Sequence, residues 1–96
     1  MRLIGREKID RFSRRHSLAK RPLAEWVMKT QQAVWRNAAD IKATFQSVDK
    51  VGDYYIFNMG GNKFRLVAIV EMRADIVIVE RIMTHAEYDR WNKERR

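Results

Sequence analysis

Residues 54–91, YYIFNMGGNKFRLVAIVEMRADIVIVERIMTHAEYDRW, constrain the fold of this chain more than any other stretch. Apolar and polar residues alternate on both sides of Gly60-Gly61, the pattern of two strands joined by a tight hairpin. A third strand-like run, Ile76 to Met83, leads straight into Thr84-His85-Ala86-Glu87, which matches the S/T-x-x-E capping box. Thr84 is expected to cap, His85 to be the first helical residue, and the helix to reach about Arg95. Three strands in a row followed by a helix call for an antiparallel sheet.

The residues before this stretch read mostly as helix. Arg2-Leu3-Ile4 is a candidate edge strand ahead of Gly5. Arg6 to His16 has the helical period, with Ile9 and Phe12 inward and Lys8, Arg11, Arg14 and Arg15 outward. Ser17 and Lys20-Arg21 are expected in a turn, and Pro22 suits the first turn of a second helix, where its missing N–H costs nothing. Leu23, Trp26, Val27 and Val34 are predicted as its buried stripe, with Asn37 at its end. Asp40 is expected to cap a short helical turn from Ile41 to Phe45, and Gln46 to Asp53 reads as a connection. The predicted fold is α+β: one domain over residues 1–96, its N-terminal helices packed on a small antiparallel sheet with a C-terminal helix. With 96 residues and no cysteine, stability must come from burial.

If Gly60-Gly61 is a two-residue turn, Met59 pairs with Asn62, Phe57 with Phe64 and Tyr55 with Leu66. One face then carries Tyr55, Phe57, Phe64, Leu66, Ala68 and Val70 for the helices to cover. The other carries Tyr54, Ile56, Asn58, Lys63, Arg65, Val67 and Ile69, apolar far from the turn and polar beside it. The register of the last strand depends on the Arg73-Ala74-Asp75 turn: two residues place Glu80 on the Arg65 face, three place Arg81 there.

Charge suggests the partner. The net charge is +8, with eleven Lys/Arg against four Asp/Glu in residues 1–48 and nine against eight in residues 49–96. A polyanion such as nucleic acid suits that first half, as would an acidic protein surface. Lys63 and Arg65 repel across a shared face unless an anion lies between them, and a phosphate satisfies both. His85 sits at the positive end of a helix, which favours the neutral ring that can accept a proton. Tyr88, three residues on, shares its helix face and can donate to a phosphate or stack on a base. His16, on a basic surface helix, offers little. The longest apolar run, Leu66 to Val70, is too short for a membrane span, and no signal peptide is evident, so a cytoplasmic protein is expected. Zinc ligands and phosphate-loop motifs are missing, a shared face for Glu71 and Glu80 is the only route to magnesium, and no metal or cofactor is expected.

Three strings, DIKATF (Asp40 to Phe45), IFNMGGNKFRLVAIV (Ile56 to Val70) and MTHAEYDRW (Met83 to Trp91), give the chain a resemblance to the HigB-type toxins of bacterial toxin–antitoxin modules, within the RelE-like superfamily. The resemblance spans nearly the whole chain. It implies a RelE-like fold and an mRNA interferase that cuts messages on the translating ribosome. It also implies a HigA-type helix-turn-helix antitoxin, with operator DNA bound only through the toxin–antitoxin complex. By the same resemblance, Arg65 contacts the scissile phosphate, His85 and Tyr88 complete the catalytic group, and Lys63 binds phosphate beside it; Asn62 at the hairpin and Arg81 are further candidate RNA contacts. One departure stands out: Glu80 lies where such chains commonly carry a basic residue. Either Arg81 replaces it through a shifted register, or Glu80 acts as a base or as an orienter of His85 or Arg65. Two other readings compete, an RNA- or ribosome-binding module that does not cleave and a decayed toxin that still binds its antitoxin.

Overall fold

The computed structural model describes residues 1–95. In chain order it consists of β1 (Arg2–Ile4), α1 (Arg6–Arg15), a single 3₁₀ turn (Ser17–Ala19), α2 (Lys20–Gln32), α3 (Ala38–Thr44), β2 (Asp49–Val51), β3 (Tyr54–Met59), β4 (Phe64–Glu71), β5 (Ile76–Thr84) and α4 (His85–Glu94). The five strands form one sheet in the order β1-β5-β4-β3-β2. Strands β2 to β5 are antiparallel, while β1 lies parallel to β5 with Leu3 beside Val77. The α+β architecture is the expected one, and the sheet is mixed because β1 reaches its partner through the whole chain rather than through a hairpin.

Helices α1 and α2 follow their apolar period onto one sheet face. Ile9 and Phe12 of α1 and Leu23, Trp26 and Val27 of α2 are buried against Phe57, Leu66, Ala68, Val77 and Val79. Trp26, Phe45 and Phe57 meet edge-on or stacked, with ring centroids 5.3–6.3 Å apart. Such pairs add about 0.5–1.5 kcal/mol each beyond the area they bury.

Several local expectations change. Val34 is exposed, because α2 ends at Gln32 and Ala33 turns extended; Thr30 fills the last buried position of the stripe. Lys20 and Arg21 belong to α2 itself. Asn37 does not end α2 but caps α3, its side chain accepting from the Asp40 N–H at 3.0 Å. Asp40 instead accepts from the Arg36 N–H at 2.9 Å. The connection after α3 contains the short edge strand β2.

The β3–β4 hairpin is longer than two residues. Met59 pairs with Phe64, Phe57 with Leu66 and Tyr55 with Ala68, leaving Gly60 to Lys63 as a four-residue loop. Gly60, Gly61 and Asn62 all have left-handed φ, at 63°, 62° and 73°. Glycine adopts that conformation freely and asparagine tolerates it, which is why these residue types occur in succession. The register therefore moves by two residues, an even number, and both predicted faces survive.

The odd step comes later. Glu71 pairs with Ile76 across a four-residue connection, a register that would set Glu80 opposite Val67 if it continued. A β-bulge intervenes: Ala68 pairs with Val79 and Val67 with Arg81, so Glu80 has no partner on β4. The Lys8 ammonium donates to the carbonyls of Val79 (3.4 Å) and Glu80 (3.1 Å) at this point. Val77 and Val79 thus stay in the helix-covered core, while Arg81 and Met83 turn to the face that carries Arg65.

Candidate active site

The second sheet face is covered by α4. Ile56, Val67 and Met83 are buried there, with Tyr54, Tyr88 and Trp91 packed over them. The helix begins where expected because Thr84 and Glu87 form a reciprocal capping box: the Thr84 hydroxyl accepts from the Glu87 N–H (3.2 Å) and Glu87 accepts from the Thr84 N–H (2.8 Å). The Thr84 amide holds the Glu87 carboxyl below its usual range. Burial opposes this, and the Thr84 hydroxyl and the charges of His16 and Arg15 add smaller lowering effects.

One further bond ties this helix to the hairpin loop: the His85 N–H donates to the Lys63 carbonyl at 2.9 Å. Phe64 sits opposite Thr84 and Arg65 opposite Met83. Loop, strand end and helix start therefore converge at one end of the sheet, and they bring together Asn62, Lys63, Arg65, His85 and Tyr88.

Arg65 is the most enclosed of these, only 7% exposed. Both of its hydrogen bonds run through Nη1, to the carbonyls of Asn62 (3.0 Å) and Phe64 (3.2 Å). Its guanidinium carbon lies 5.7 Å from the centre of the Tyr88 ring. The ion pairs among the described residues are Glu25–Lys29 and His85–Asp89, so no carboxylate neutralises Arg65. A nearly buried cation held by carbonyls and an aromatic face, with its charge uncompensated, is an anion site in waiting.

His85 remains half exposed, and its Nδ1 lies 3.0 Å from Asp89 Oδ2, one helical turn along. That contact orients the ring and leaves Nε2 as the nitrogen available to a ligand. Lys63 and Asn62 are exposed on the loop. Arg81 is displaced along the same face, its guanidinium 5.4 Å from the Trp91 ring centre, which Arg95 approaches at 4.5 Å. Glu80, the alternative to Arg81 in the sequence reading, is the bulged residue without a partner on β4, and it is Arg81 that pairs with Val67 on the face of Arg65. Among the described residues, no three His, Asp or Glu side chains gather as a metal site.

The sequence reading passed over His16. Its ring stacks on Phe12 at 4.2 Å and lies 6.2 Å from the ring of Phe64, the residue preceding Arg65. Ile9, Phe12 and His16 fall at i, i+3 and i+7, so carrying the inward stripe of α1 one step further would have found it.

Comparison with known proteins points to one family. A family model described as HigB_toxin, RelE-like toxic component of a toxin-antitoxin system, matches residues 19–91. The mRNA interferase toxin HigB of Escherichia coli K12 is 28% identical over 92 residues, spanning 93% of this chain and 88% of that protein. The mRNA interferases HigB of Escherichia coli O157:H7 and Shigella flexneri match to the same extent.

Proposed function

Because the chain belongs to the HigB toxin family, the RelE-like toxic component of a toxin–antitoxin system, we propose that it is a metal-independent endoribonuclease that cuts messenger RNA on the translating ribosome. The observation that carries this reading is Arg65: enclosed and uncompensated, at the sheet end where the loop bearing Lys63 is tied to His85, the first residue of α4. A scissile phosphate placed there would receive the free edge of the guanidinium and the Lys63 ammonium. The ribose 2′-hydroxyl would attack in line, its proton passing to His85 Nε2 while Asp89 holds the opposite ring nitrogen. Arg65 and Lys63 would stabilise the charge that builds on the phosphate oxygens, and the Tyr88 hydroxyl would donate to one of them. The P–O5′ bond would break, the leaving oxygen taking a proton from solvent, to give a cyclic 2′,3′-phosphate and a free 5′-hydroxyl. DNA, lacking the attacking hydroxyl, would be immune.

Arg81 and Asn62 serve in this scheme as RNA-binding groups beside the reacting phosphate, and Glu80 has no part in it. The inhibitor would be a HigA-type helix-turn-helix antitoxin, and operator DNA would be bound only by the pair. Between α1 and α2 runs a groove of about 660 Å³ with Ile9, Ala24 and Val27 along it and Arg6, Arg14 and Lys20 at its edges. An acidic, apolar antitoxin segment complements that lining. The site of action is the cytoplasm, where the ribosomes are; no helix among the described residues is long and apolar enough to cross a membrane.

The test is to induce the chain and its Arg65→Ala variant in bacteria and map new 5′ ends on messages. Loss of one such donor costs about 2.7–4 kcal/mol of transition-state stabilisation, so cleavage should fall by about 10²–10³-fold. Cuts within reading frames that vanish in the variant support the reading. Intact messages despite folded parent protein would favour a binding module or a decayed toxin.

A further inference from the structure

The C-terminal end of α1 lies on the helix-covered side of the sheet and the start of α4 on the other, yet both meet at the sheet end. His16 stacks on Phe12 beside Phe64, and Phe64 pairs with Thr84, the cap of α4. Arg15, the last residue of α1, directly precedes His16, and Glu87, in that cap, feels the charge of each. The Lys63 carbonyl closes the circuit by accepting from the His85 N–H. Arg15 and Lys63 are exposed, His16 is partly so, and none of the three has a carboxylate within ion-pair distance among the described residues. Glu87 spends its carboxylate on the Thr84 N–H, so it dilutes this positive patch without closing it.

We infer that Arg15 and His16 form a second RNA-phosphate site, which takes the nucleotide adjacent to the scissile phosphate as the strand passes round the end of the sheet from Arg65 across Lys63 to α1. This rests on the proposed RNA cleavage at Arg65 and extends it by one nucleotide. Two phosphates held on opposite sides of the loop would fix the strand direction, which a single cation cannot do, and the added contact would hold the strand equally before and during the reaction. Arg15 and His16 are positioning residues: they touch the strand, not the reacting atoms.

The experiment uses the intact chain on ribosomes programmed with a short message containing one mapped cleavage site. Arg15→Gln and His16→Gln are compared with the parent, each on the ordinary message and on messages in which the phosphate immediately 5′ or immediately 3′ of the scissile one is a neutral methylphosphonate. The expected result is a several-fold rise in KM for each variant with kcat held within about twofold, the signature of lost uniform binding. A methylphosphonate at one of the two flanking positions should raise KM in the parent and add clearly less than that to Arg15→Gln, since the two changes remove overlapping contacts. Arg15 is exposed, so its variant should fold even if His16→Gln loosens the packing on Phe12. Independent, additive effects at both flanking positions would overturn the inference, as would an unchanged KM or a fall in kcat alone. If Arg65→Ala still abolishes cutting in that case, the assignment of the cleavage site stands without this second site; if the parent does not cut at all, both fail.

Discussion

Gly60 and Gly61 provide a paired test of how the loop is held against the site. Both have left-handed φ, 63° and 62°, so an alanine at either position meets the same backbone penalty of about 1–2 kcal/mol. Their surroundings differ. A Cβ on Gly61 meets open space, whereas one on Gly60 would lie 2.8 Å from Cδ2 and 3.1 Å from Cε2 of Phe64. The Phe64 ring cannot swing away cheaply, because it is 6% exposed and packed edge-on against Phe12 at 5.8 Å. Overpacking of this kind costs about 1–3 kcal/mol. Gly61→Ala should therefore lose about 1–2 kcal/mol and Gly60→Ala about 2–5 kcal/mol, the sum of the two effects. For a chain of this size each kcal/mol lowers Tm by about 4–8 °C, so thermal melts and urea titrations resolve the difference. Gly60→Ala should also lower cleavage of message more than Gly61→Ala, since Phe64 precedes Arg65 and both flank the same loop. Equal losses of stability in the two variants would refute the argument, by showing that the Phe64 ring does not hold the loop.

Three further outcomes follow from the same geometry. Glu80→Gln should cleave within about twofold of the parent, because the bulge leaves Glu80 unpaired and gives Arg81 the place opposite Val67 on the face of Arg65; a drop within the 10²–10⁴ range of a lost proton carrier would make Glu80 the base. The lowered pKa of Glu87 means that its cap stabilises the fold above the ordinary value of 4.5 and that this contribution is lost as pH falls through the lower folded value. The gap in Tm between parent and Glu87→Gln should accordingly shrink on acidification below 4.5; a gap that widens there contradicts the sign. Trp91→Ala removes the ring that Arg81 and Arg95 approach, at about 0.5–1 kcal/mol per exposed cation–π contact. It should make α4 the first segment cut by protease, and unchanged cutting would show that the helix is held by other contacts.

The elements of this fold are legible because each leaves a local signature. Ile9 and Phe12 mark the inward face of α1, Thr84 and Glu87 mark the start of α4, and the alternation around the glycines marks β3 and β4. Even a misjudged hairpin did little harm: moving the pairing by two residues keeps Phe57 and Leu66 on the core side and Arg65 on the other. Val34 and Asn37 went astray for a different reason, since the helical period of α2 says nothing about where the chain will turn extended.

What the sequence determined by itself is therefore the helices, the longer strands and the candidate β1, the apolar faces of most of them and the family, all encoded by neighbours within one or two turns of chain; the three-residue edge strand β2 was not among them. The tertiary structure alone decided which residues meet. Whether Glu80 or Arg81 faces Arg65 depends on a single extra residue in β5, and one residue reverses the face of everything after it, so no count of turn residues predicts the result without the bulge. The parallel pairing of β1 with β5 joins segments about seventy residues apart, and the approach of His16 to Phe64 joins segments about fifty apart. Contacts at that range are selected by packing the whole core at once, and no local pattern carries them.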